Sequence, residues 1–199
     1  MSKTPNSQTP YFSNSPTPMS RSTVTPLLAS RGRTVRVTVL ALAATLLIPF
    51  LVHLIPAAGP VPIGARLLPM FYAPFVAAAL FRYPVGLVAG VLAPVINHLL
   101  TGRPALPLMG ILSVELAASV LVAAALLRVP SLRWGAAPLS YLGAKVVSSA
   151  LLAVLPGWMP GTAPLDFAFS SVANAWPGLV ILLVLNVAVL RIKAQRAEG

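Results

Sequence analysis

Residues 106–127 read LPLMGILSVELAASVLVAAALL, and the way Glu115 is tolerated in the middle of that run decides the fold. A helix rising about 1.5 Å per residue needs roughly 20 apolar residues to cross a hydrocarbon layer of about 30 Å. The run is long enough, and Glu115 is its one charged group. A soluble helix of this length would carry a broad polar face. The pattern therefore predicts a spanning helix whose single acid faces other helices, not lipid.

Outward from it the pattern recurs on both sides. Val35–Ile55, Leu67–Phe81, Val85–Leu100, Gly135–Leu155 and Ser171–Leu190 are apolar runs parted by short segments rich in Arg, Pro or Gly. Between the second and third, Arg82, Tyr83 and Pro84 leave room only for a tight turn. The fold class this predicts is all-α: an integral membrane bundle of six transmembrane helices.

Composition agrees. The chain is 57% hydrophobic and 9% charged, whereas soluble domains carry about a quarter charged residues. Three acidic residues in total cannot supply a wetted surface. The net charge of +11 would suit nucleic acid, but the basic residues lie between apolar runs instead of along one stripe with interleaved aromatics. That placement argues against nucleic acid and for membrane boundaries. With no cysteine, disulfides, thiolate metal sites and cysteine nucleophiles are excluded. His53 and His98 stand apart, so no metal cluster is expected.

Met1–Ser30 is rich in Ser, Thr, Pro and Asn without apolar periodicity, which predicts a disordered cytoplasmic tail. The first apolar run begins only at Val35, after Arg31 and Arg33, and reads as an uncleaved first helix, not a secretory signal. The bundle is expected over 31–192, followed by a short basic cytoplasmic tail at 193–199. Placing both ends inside puts Lys3, Arg21, Arg31, Arg33, Arg36, Arg82, Arg128, Arg133, Arg191, Lys193 and Arg196 on the cytoplasmic side. Only Arg66 and Arg103 fall outside, and eleven against two is the positive-inside pattern.

Glu115 and Lys145 are the ionisable groups deep in spans. Each is costly there unless it faces the bundle interior and finds a partner. Glu115 lies nine residues from Leu106 and Lys145 ten from Leu155, so both sit about 14–15 Å from the outer surface. Ser119 falls one turn from Glu115, and Tyr141, Ser148 and Ser149 share the Lys145 face. These faces are expected to meet, either as a structural pair locking two helices or as the wall of a ligand cavity. A proton relay would normally show a longer chain of carboxylates and histidines.

Nearer the outer surface, Asn97 and His98 close the third run, His53 closes the first, and Asn174 opens the sixth. Arg103, Trp158, Asp166 and Trp176 lie in or beside the outer loops. Singly these are helix-end or interfacial residues. Together they predict one outer mouth suited to a small polar ligand. Pro49, Pro94 and Pro177 are expected inside the outer halves of their spans, freeing the carbonyls of Thr45, Gly90 and Ala173. There is no Gly-x-Ser-x-Gly, no His-Glu-x-x-His and no phosphate-binding Gly-Lys-Ser/Thr loop. An enzyme is not expected, nor any cofactor in this chain.

The stretch from Leu67-Leu68-Pro69-Met70-Phe71-Tyr72-Ala73-Pro74 through Val85–Gly90, then Leu92–Pro104, then Pro107-Leu108-Met109 and Val114-Glu115-Leu116-Ala117, resembles the substrate-binding S components of energy-coupling factor vitamin transporters. The likeness covers about Gly64 to Leu127, a third of the chain. It implies a bacterial plasma-membrane subunit that takes a vitamin or related micronutrient from outside. Its implied partners are a transmembrane coupling subunit and two cytoplasmic ATPases, which would hydrolyse the ATP. It also implies docking of the first helix to the coupling subunit through a small-residue face, here Ala41 and Thr45. The ligand would lie in the outer half, where Asn97, His98, Trp158, Asn174 and Trp176 fall. A self-contained channel or proton-coupled carrier using Glu115 and Lys145, or a structural membrane protein, are the readings that stand beside it.

Overall fold

Proline and glycine set the helix boundaries. The computed structural model describes residues 25–55 and 61–198, with 25–31 given by backbone alone. The long helices are α1 (Thr25–His53), α3 (Pro69–Leu80), α4 (Tyr83–Thr101), α5 (Leu106–Leu126), α6 (Ala136–Val154) and α8 (Trp176–Glu198). Two short ones, α2 (Ile63–Leu67) and α7 (Pro164–Asn174), lie between them. Proline occupies the first or second position of α3, α4, α5 and α7, where its missing N–H costs nothing. Gly102 closes α4 at φ 71°, and its N–H caps the His98 carbonyl, as a left-handed C-terminal glycine does.

Six segments are long and apolar enough to cross a membrane: Gly32–His53, Ile63–Leu80, Tyr83–Thr101, Leu106–Leu126, Arg133–Val154 and Trp176–Glu198. No strand occurs among the described residues. The chain is a multi-pass, all-helical membrane protein. Because successive spans are joined by short connections, they alternate in direction. One face of the bundle then carries Arg33, Arg36, Arg82, Arg128, Arg133, Arg191, Lys193 and Arg196, and the other carries Arg66 and Arg103.

Helix α5 is central: it packs on α6, α4 and α3, while α1 covers α3 and α4, and α8 closes against α6, α3 and α2. Close approach comes from small residues. A Cβ on Gly86 would run into the Pro74 carbonyl and the Ala78 side chain, and one on Gly90 would press on Leu116. Ala41, Ala77, Val85 and Ala89 form one buried cluster where α1 meets α3 and α4. Phe71, Phe75, Leu116, Tyr141 and Leu182 belong to the main core, and Phe71 stacks edge-on against Tyr141 at 5.2 Å.

Several expectations need correcting. The outer loop expected at Pro56–Arg66 is helical from Ile63: α2 stops, Leu68 takes the left-handed conformation at φ 56°, and α3, the expected second span, starts at Pro69. Pro69 has no N–H to bond back to Ala65, so α2 cannot continue through it. The sixth run is broken. Asn174 ends α7 instead of opening the sixth span, and Pro177 sits in the first turn of α8 instead of inside a helix. The loop expected at Pro156–Phe169 is helical from Pro164. At the ends, α1 starts at Thr25 and α8 is helical to Glu198. Residues 1–24 of the expected disordered tail, and 56–60 of the first outer loop, lie outside the described residues.

Asn186 fixes how α8 sits against α6. Fully buried, its amide nitrogen donates to the carbonyls of Arg133 (2.9 Å) and Trp134 (2.7 Å), and its oxygen accepts the Ala137 N–H at 3.3 Å. One of the orphan N–H groups at the start of α6 is satisfied in this way. Asn186→Ala is expected to cost about 2 kcal/mol by leaving these groups unpaired, readable as a lowered Tm in detergent. An unchanged Tm would mean that water replaces the amide without loss.

Candidate functional site

Depth is set by helix rise. Counted from the basic face at about 1.5 Å per residue, Lys145 lies about 14 Å in from Ala136 and Glu115 about 17 Å in from Leu126. Leu68 lies about 18 Å in from Leu80, and Trp176 about 15 Å above Asn186, which is level with the start of α6. The two charges and both helix breaks therefore share one layer, close to the middle of a hydrocarbon core of about 30 Å. The breaks also touch. A Cβ on Gly178 would lie 2.7 Å from Leu68 Cγ and 2.8 Å from the Leu67 backbone. The Tyr72 hydroxyl donates to the Leu67 carbonyl, which the interruption leaves near the layer. Unwound backbone at this depth is tolerated only where protein or a wetted cavity satisfies it.

At the centre, Lys145 Nζ donates to Glu115 Oε1 at 2.7 Å, and the two side chains are 9% and 1% exposed. Nζ also faces the rings of Phe167 at 4.8 Å and Tyr141 at 5.3 Å, the geometry of a cation–π contact. Phe167 belongs to α7, so this helix descends far enough to cover the pair. The Tyr141 hydroxyl donates to the Ser171 carbonyl of α7 at 3.4 Å. One turn deeper, Ser140 donates to the Ala137 carbonyl at 2.7 Å and accepts from Ser119 at 3.1 Å. One turn shallower, Ser149 is buried and its hydroxyl has no hydrogen-bond partner, the one such side-chain atom among the described residues. The expected meeting of the Glu115 and Lys145 faces is thus what the structure contains.

The outer residues are dispersed. His98 Nδ1–H donates to the Pro104 carbonyl at 2.7 Å and clips the α4–α5 connection to the end of α4. Half-buried Asn97 lends its carbonyl to the Thr101 hydroxyl, which in turn accepts the N–H of exposed Arg103. Trp158 Nε1–H donates to the Pro107 carbonyl at 2.9 Å, and its ring lies over Gly110. Asn174 turns its amide back to the Ser170 carbonyl, and Trp176 is 62% exposed. Among the described residues, no hydrogen bond or ring contact joins His98, Trp158 and Asn174 to one another. Of these, Trp158 alone packs on α5, at its outer end.

Ala41 and Thr45 are buried against the chain's own α3 and α4, and the Thr45 hydroxyl donates to the Ala41 carbonyl at 2.7 Å. What α1 leaves bare is the opposite side, with Leu40, Leu47, Phe50, Leu51 and Leu54 exposed.

Sequence reasoning did not single out Phe167, the Leu68 break or Asn186. Asn186 had a signal, a lone amide inside LLVLNVAVL at 182–190. Pro69 and Pro164 mark two of the helix starts. Nothing in the sequence says that Phe167 reaches Lys145. No family model matches the chain, and no curated protein or solved structure matches it either.

Proposed function

We propose that this protein is the substrate-binding membrane subunit of an ATP-dependent uptake transporter for a micronutrient, a vitamin or related small molecule. The observation that carries this reading is the mid-depth layer. A buried ion pair and two helix breaks lie at one level under α7, with an unpartnered hydroxyl one turn above them. Ionisable groups and broken helices within a bilayer mark solute sites more often than they mark simple scaffolds. The positive-inside rule then puts the basic face, and both chain ends, in the cytoplasm, so that α7 and Trp158 face outside. The chain carries no nucleotide-binding loop, so the energy comes from partners: a transmembrane coupling subunit and two cytoplasmic ATPases. The ligand is bound without chemistry.

The test is a thermal-shift screen of the purified full chain against water-soluble vitamins. A ligand present at 100 times its Kd adds about 2.7 kcal/mol of stability, a shift of several degrees. Silence across the whole panel would sink the reading.

The helix breaks favour a second reading, a self-contained channel or proton-coupled carrier using Glu115 and Lys145. Reconstitution of the chain alone in liposomes separates the two. Solute flux without partner subunits would favour the carrier; ligand binding without flux supports the uptake subunit.

A further inference from the structure

We propose that the site takes a small uncharged ring compound bearing a carbonyl or ring-nitrogen acceptor, held by the Ser149 hydroxyl above the Glu115–Lys145 pair, and that it rejects anionic counterparts of the same ring. This inference rests on the uptake reading above and names its substrate class.

The first ground is charge. Glu115 and Lys145 neutralise one another at 2.7 Å in a place from which solvent is nearly excluded. A neutral guest leaves that balance intact. A charged guest would bring an uncompensated charge into the interior, or would have to break the pair, and both are strongly unfavourable.

The second ground is Ser149. Its neighbours Val146, Val147 and Ala150 are exposed, whereas Ser149 is only 9% exposed, so it points into the bundle. Adjacent Ser148 satisfies its hydroxyl on the Lys145 carbonyl at 3.2 Å; Ser149 has no hydrogen-bond partner among the described residues. A buried hydroxyl without a protein partner calls for a water or a ligand group. A serine hydroxyl donates one bond and accepts others, which fits a carbonyl or ring nitrogen.

The third ground is shape. Helices α5 and α6 pair in antiparallel register, Ser119 with Ser140 and Glu115 with Lys145. The same register carried one turn outward sets Ser149 against Ile111, which is fully buried. The floor is the ion pair, with Phe167 and Tyr141 on its cation. The facing wall at Ile111 is apolar, and the one unpartnered hydrogen-bonding group is the Ser149 hydroxyl. Such surroundings suit a flat ring with a single polar edge.

Matched pairs that differ in charge test this: nicotinamide with nicotinic acid, and biotin amide with biotin. Each is titrated against the full chain at neutral pH by calorimetry and thermal shift. At least one neutral member is expected to bind, with its acid at least tenfold weaker. Ser149→Ala should weaken the neutral ligand at least tenfold while raising the Tm of the ligand-free protein, since it removes an unpartnered hydroxyl. A purely structural serine would not move the two readouts in opposite directions. Glu115→Gln leaves the Lys145 charge unopposed and should shift preference toward the acid. Equal binding of acid and amide, or unchanged affinity in Ser149→Ala, overturns the inference. If charged vitamins of the wider panel bind and the neutral ones do not, the inference falls while the uptake reading stands. Silence from every compound removes both.

Discussion

Glu115→Ala is expected to lower the unfolding free energy by about 3–5 kcal/mol, because it leaves the Lys145 ammonium buried without its counter-charge. Lys145→Ala should cost a similar amount for the reciprocal reason. The pair itself need not be stabilising. Taking two charges out of water costs much of what their attraction returns, and apolar pairs of similar volume often do as well or better. The double variant Glu115→Met/Lys145→Met should therefore recover most of the loss, with a Tm near that of the parent. Under the uptake reading it folds and does not bind ligand. Thermal unfolding in detergent, paired with ligand titration, reads both quantities. Single variants within about 0.5 kcal/mol of the parent would mean the pair is wetted like a surface bridge, and the mid-depth layer would lose its charged centre.

Gly178→Val is the second large effect. The added side chain would meet Leu68 Cγ and the Leu67 backbone at under 3 Å, and backbone cannot swing aside as a side chain can. Overpacking of this kind costs typically about 1–3 kcal/mol, and the upper end is expected because the contact lies between two helix breaks. Ligand affinity should fall as well, since the displaced elements frame the layer that holds Glu115 and Lys145. As a control, a Cβ at Gly157 meets nothing within 4 Å, and Gly157→Ala should leave the Tm unchanged. A Gly178→Val protein with parental Tm and parental affinity would mean that the two breaks move independently.

What the sequence disclosed follows from which forces leave a one-dimensional trace. Span number is set by the length of apolar runs, so the six crossings were legible from Val35 to Leu190. The level match of Glu115 and Lys145 was legible because helix rise is constant. The tight turn at Arg82–Tyr83 was legible from Pro84. Helix interruption was less so. Pro177 was expected to kink a continuous span, whereas the chain breaks at Ala175 and uses the proline to start α8. Local sequence states that a proline disfavours the turn before it; tertiary packing of Gly178 on Leu67 decides whether the helix bends or stops. The outer polar residues share a face of the membrane, and the sequence could place them no more finely than that. Loop geometry sends His98 to Pro104 and Asn174 to Ser170, leaving Trp158 as the one packed on the outer end of α5. Phe167 on Lys145 is a contact across 22 residues of chain through a loop, and no periodicity encodes it.

The chain contains no cysteine, so single cysteines can report on the layer directly. Ser149→Cys and Val146→Cys differ by three positions on α6, one pointing into the bundle and one 70% exposed on its outer side. In sealed proteoliposomes or cells, a small membrane-impermeant thiol reagent added to the face that bears Trp158 should modify the cysteine at 149 and spare the one at 146. A ligand found in the vitamin screen should protect position 149. Reaction at 146 with none at 149, or reaction at 149 only from the basic face, would contradict a solute site opening outward above the Glu115–Lys145 pair.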